Sequence, residues 1–196
     1  MSGAVLAGII VGRLWVSQEM LPAIQELIVW FLMVLLVGIG ISLAMKTDGS
    51  ELLSRVRPLY LLLIPLSVLG SLLGAGLAMH LTGGNLWLGV AVGAGFGWYS
   101  LSGVILAGEL GAAAGALAFL SNTMREILAL MVIPAALKAF GMVGMVLGGA
   151  TTMDVSLPLI NRFGSSETSF AALLHGTVLS RLVPVLVPIF AMLAAR

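Results

Sequence analysis

The 196 residues include no cysteine and little charge, with 9 Lys and Arg against 8 Asp and Glu. Without thiols the chain has neither disulfides nor thiolate-held metal, and the redox compartment stays open. Charged residues make up 9% of the chain, against about a quarter in soluble domains. That is too few to cover a globule with polar surface. A net charge of +1 leaves no basic footprint for nucleic acid. HExxH, a GxSxG context and a cysteine nucleophile are all missing, so the sequence does not read as an enzyme, and neither cofactor nor metal is expected. The opening MSGAVLAGII lacks the basic n-region of a secretory signal.

What is present is apolar length. Hydrophobic residues are 60% of the chain and the mean hydropathy is +1.17, so the solvent is lipid. A hydrocarbon core about 30 Å thick needs roughly 20 helical residues. Runs at Gly3–Trp15, Leu27–Met45, Leu59–Met79, Leu86–Leu106, Gly115–Phe140, Met142–Ile160 and Phe170–Ala195 give about seven membrane segments. The expected fold is an all-α, polytopic membrane helix bundle forming one transmembrane domain over residues 1–196. Barrel strands are not expected, because the runs do not alternate. Lys46, Arg55 and Arg57 put the loop 46–58 on the cytoplasmic side of the inner membrane by the positive-inside rule, and His80–Asn85 outside.

Many of the 25 glycines are spaced four apart, as in GSLLG and GAAAG, which lets helix backbones pack closely in lipid. Two stretches differ. GAGFGWYSLSG holds Gly95, Gly97 and Gly103 with Tyr99, Ser100 and Ser102; GGATTMDVSLPLI holds Gly148 and Gly149 with Thr151, Thr152 and Asp154. Glycine and hydroxyl runs inside apolar segments predict two discontinuous helices, meeting at mid-membrane where irregular backbone must line a cavity or be buried. The alternative is a pair of kinked helices.

A third stretch, FLSNTMREILALMVIP, places Ser121, Asn122, Arg125 and Glu126 within about 140° of one another on a helix. Arg125 and Glu126 are sequence neighbours and face each other poorly, so each wants a partner elsewhere; a structural ion pair is the bland alternative to substrate binding. Arg181 is the natural charge partner for Asp154 or Glu126. His175 offers a proton relay, although a lone histidine near a helix start is more often satisfied by backbone groups. Asp154 reads as a coupling or substrate residue, or as a helix cap ahead of VSLP.

The stretches GFGWYSLSG, AFLSNTMREILALMVIP, GGATTMDVSLPLI and HGTVLSRLVPVLV resemble, in order and spacing, the C-terminal part of LysO-type lysine exporters, from about Leu27 to the C-terminus. The resemblance implies a secondary transporter that exports L-lysine or related cationic amino acids in exchange for protons. Asp154 and Glu126 would face the ammonium groups or the proton, and the Gly97–Ser102 break with Arg125 the carboxylate. A carboxylate withdrawn from water exchanges protons nearer neutral pH. Family members carry a further N-terminal membrane region, so this short or divided form is expected to act as a homo-oligomer or with a small membrane partner. The alternative is a non-transporting subunit that needs such a partner.

Overall fold

A computed structural model describes residues 58–196 without interruption and, ahead of them, residues 11–12, 17–20, 23, 26–27, 30–31, 34, 37–38 and 41. The chain divides into two compact units, Met1–Lys46 and Thr47–Arg196. The expected segments Gly3–Trp15 and Leu27–Met45, and the basic loop 46–58, fall largely outside the described residues. In the second unit the order is α1 (Pro58–Leu81), α2 (Leu86–Gly93), α3 (Tyr99–Leu110), α4 (Ala112–Phe140), a 3-10 run (Gly141–Met153), α5 (Leu157–Phe163) and α6 (Ser166–Ala194). Among the described residues there is no strand.

Among the described residues, three stretches are long and apolar enough to cross a membrane: Leu62–Leu81, Ala112–Met153 and Ser166–Ala194. Their outward faces agree with lipid as solvent. On α1, Leu62, Leu66, Leu69, Leu73, Leu77 and Leu81 recur at helical spacing and are all exposed, a stripe that no water-soluble helix of this kind would leave uncovered.

Two of the expected segments are interrupted. Leu86–Leu106 is divided between α2 and α3, with turns from Ala94 to Gly97. Met142–Ile160, expected as a discontinuous α-helix, is instead the 13-residue 3-10 run and the start of α5. Glycines at 141, 144, 148 and 149 explain the difference, since they weaken α-helix and allow the run to press against a neighbour. At Gly144 an added Cβ would lie 2.6 Å from the Leu137 nitrogen of α4, so the backbones touch.

The core lies along one seam of α6. Ala172, Leu179, Val183, Val187 and Ala191 are fully buried, and the last four pack on Ala91, Phe96, Leu106 and Ala118 of the α2–α4 region. The i, i+4 repeat of small and branched side chains makes that contact. Caps fix the ends of the seam. Ser165 Oγ accepts from Thr168 N–H at 3.1 Å at the start of α6. Asn85 Oδ1 accepts from Trp87 N–H at 2.9 Å at the start of α2, while its Nδ2 donates to the Ala194 carbonyl at 3.0 Å.

Candidate functional site

The chain leaves α2 through a tight turn in which Phe96 and Gly97 both take positive φ, 47° and 95°. A bulky residue in that region is strained, so something must hold Phe96 there. Its side chain is fully buried, and Asn122 on α4 clamps the turn around it. Asn122 Oδ1 accepts from Gly97 N–H at 2.7 Å. Its Nδ2 donates to the carbonyls of Val92 at 3.0 Å and Ala118 at 3.1 Å, and lies 3.3 Å from Ser102 Oγ. Ser102 in turn donates to the Trp98 carbonyl at 2.8 Å. Asn122 and Ser102, both expected at a binding site, thus spend their hydrogen-bonding capacity on the turn. Gly95 belongs to the same cluster: a Cβ there would lie 2.6 Å from Asn122 Nδ2.

The 3-10 run breaks at Gly149, with φ 63° and ψ −129°. A side chain there would be strained and would collide with the Phe96 carbonyl. The two irregular points therefore cross in contact, and Ala150 N–H donates to that same carbonyl at 2.9 Å. The hydroxyls of the second stretch fold back on their own backbone. Thr151 Oγ1 donates to the Gly148 carbonyl at 2.9 Å and lies 2.8 Å from Ser156 Oγ. Thr152 Oγ1 donates to the Gly149 carbonyl at 2.8 Å, so His175 Nδ1, 3.3 Å away, must be the donor of that pair. That tautomer leaves Nε2 an acceptor, buried with no partner among the described residues.

Against this crossing lies a cleft of about 160 Å³ lined by Gly97, Trp98, Tyr99, Ser100, Glu126, Ala150, Thr151, Met153, Asp154, Val155 and Ser180. Among the described residues, two carboxylates face it and no Lys or Arg does. Its volume is below the roughly 300 Å³ at which drug-sized ligands begin, and suits one small cationic group. Asp154 does not cap a helix with its side chain. Its Oδ1 accepts from the adjacent Val155 N–H at 2.6 Å, and the N-cap of α5 is Ser156, with no side-chain cap bond. The cleft-facing Tyr99 packs edge-on against Phe119, ring centroids 5.3 Å apart.

Arg125 opens elsewhere. It lines a larger groove of about 600 Å³ between α1, α4 and the 3-10 run, which shares no lining residue with the cleft. The helical wheel accounts for the division: Ser121 and Arg125 lie about 40° apart at 100° per residue and line the groove, while Asn122 and Glu126 lie further round the helix and meet the turn and the cleft. Arg125 Nη1 donates to Ser71 Oγ at 2.7 Å, and Ser71 donates to the Gly93 carbonyl at 2.8 Å.

Of the remaining residues expected at a site, Arg181 is exposed and does not line the cleft; Ser180, one position earlier, does. Gly103 packs α3 on α4, where a Cβ would lie 3.2 Å from Phe119 Cβ. Sequence reasoning missed Ser71, which carries no local signal for an arginine 54 positions away. It also missed Gly176 of α6, where a Cβ would lie 2.7 Å from Thr152 Oγ1, so that only glycine lets α6 pass the second break.

The family profile described as "Lysine exporter LysO" matches residues 2–191, further toward the N-terminus than the four stretches alone reach. Over 101 residues the chain is 42% identical to "Lysine exporter LysO" of Escherichia coli (strain K12), covering 52% of this chain and 34% of that protein. Over 188 residues it is 31% identical to "Putative lysine exporter" of Haemophilus influenzae, covering 95% of this chain and 94% of that protein. The match thus spans about a third of the first relative and nearly all of the second. No solved structure matches.

Proposed function

The chain belongs to the lysine exporter LysO family, and from that premise we propose that it is a multi-pass transporter of the cytoplasmic membrane exporting L-lysine, or closely related cationic amino acids, in exchange for protons. The reading is one of transport rather than catalysis. The observation that carries it is the cleft in which Asp154 and Glu126 face a small space with no cation among its described lining residues. Two carboxylates sharing such a space repel each other unless a cation or a proton lies between them. An ammonium group and a proton therefore compete for one place, which is the elementary requirement of an exchanger.

The crossing of the two irregular stretches is the natural moving part. One hydrogen bond, Ala150 N–H to the Phe96 carbonyl, joins them directly. Parting them would open the cleft toward the groove, a route to alternating access around discontinuous helices. Glycines at 97, 148 and 149 leave that contact free of side-chain bulk.

The test is counterflow of labelled lysine in proteoliposomes made with the purified chain. Lysine-loaded vesicles are expected to accumulate label, and an imposed pH gradient is expected to drive lysine out against proton entry. Accumulation equal to that of empty liposomes would remove the claim. Recovery only when a small membrane protein is co-reconstituted would support the subunit reading instead.

A further inference from the structure

Among the described residues, the groove between α1 and α4 gathers a guanidinium and three serine hydroxyls without a carboxylate. Arg125 has five N–H groups; Nη1 is spent on Ser71. Ser67, one helical turn before Ser71, is 6% exposed, lines the same groove, and its Oγ has no hydrogen-bond partner among the described residues. Ser121 lines the groove too, and among the described residues no Asp or Glu does. A guanidinium in an apolar setting without an anion is costly, and so is a buried hydroxyl left unpaired. Together they call for an anionic guest.

Depth narrows its identity. Arg125 lies midway along the 29-residue α4, about 20 Å from either end at 1.5 Å per residue. A lipid phosphate belongs at the membrane surface and does not reach that level. A group that passes through the membrane does. Resting on the export reading above, we infer that Arg125 and Ser67, with Ser71 orienting the guanidinium, form a carboxylate station that recognises the amino-acid end of the substrate and rejects the matching diamine. The lining beyond them, Met124, Leu128, Val146 and Leu147, is unbranched or aliphatic and suits a methylene chain. The cleft recognises positive charge, which lysine shares with its decarboxylated form, 1,5-diaminopentane; the groove supplies what distinguishes them.

Lysine counterflow in proteoliposomes, with unlabelled 1,5-diaminopentane and lysine methyl ester as competitors, tests this. In the unsubstituted chain both competitors are expected to be weaker than lysine by about 10- to 100-fold, the scale of a lost charge-assisted hydrogen-bond pair. Arg125→Gln is expected to raise the half-saturating lysine concentration by a similar factor and to erase the gap. Ser67→Ala, which removes no charge and barely alters packing, is expected to narrow it several-fold with folding intact. Equal competition by the diamine in the unsubstituted chain would overturn the inference while leaving lysine export standing, as would a gap unchanged in both variants. An absence of lysine counterflow altogether would overturn the export reading and the carboxylate station with it.

Discussion

Lysine–proton exchange is expected to collapse in Asp154→Asn while the chain still folds and inserts. Asparagine matches aspartate in size and retains the Oδ1 that accepts from Val155 N–H at 2.6 Å, so the local backbone loses nothing. What disappears is one of the two negative charges facing the cleft. An ammonium group held there would lose a partner in poor solvent, a loss of about 3–5 kcal/mol for a broken buried pair, and flux would fall by on the order of 100-fold or more. Glu126→Gln is expected to be as damaging, because neither carboxylate alone makes a site in which cation and proton exclude each other. The cap reading of Asp154 predicts the opposite, since asparagine and aspartate rank level at an N-cap. The structure already weakens it, with Ser156 at that position. Full flux and intact pH-gradient coupling in Asp154→Asn would return Asp154 to a purely local role.

Composition and period made part of this legible. The near absence of charge makes lipid the solvent, and the outward leucines of α1 obey it. The 100° helical period places Ser121, Asn122, Arg125 and Glu126 on one arc of α4, and the structure uses that arc at both ends, for groove and for cleft. Hydropathy could not separate α-helix from 3-10 in Met142–Ile160, because both bury the same apolar side chains; the difference lies in how closely Gly144 approaches Leu137. Pairings across the fold were equally invisible. Arg125 was expected to seek a carboxylate or a substrate, and its protein partner is a hydroxyl on α1. Arg181 was expected near Asp154, and its side chain is exposed instead. Nothing local in the sequence shows that His175 meets Thr152 through one nitrogen and leaves the other without a partner among the described residues. Each of these depends on which helices become neighbours, which a single sequence does not encode in any local spacing.

Asn122 gives the sharpest contrast between a residue that looks like a ligand and one that builds the place where a ligand binds. It is 3% exposed, and its amide group meets four partners, two of them carbonyls and one the Gly97 N–H. Asn122→Ala would strand that N–H in a buried site, at about 1–3 kcal/mol for the unpaired group, while the Val92 carbonyl would keep the Gly95 N–H. It would also release Phe96 from its positive φ and loosen the carbonyl that receives Ala150 N–H. The expected result is a fall in thermal midpoint in detergent of roughly 5 °C or more, together with loss of lysine counterflow. A substrate ligand predicts something else: flux lost, midpoint unchanged. Asn122→Asp separates the two further, because it retains the acceptor for Gly97 N–H but removes both donors and adds a buried charge, so it should be less stable than Asn122→Ala. An Asn122→Ala protein with the midpoint of the unsubstituted chain and no transport would make Asn122 a binding residue after all.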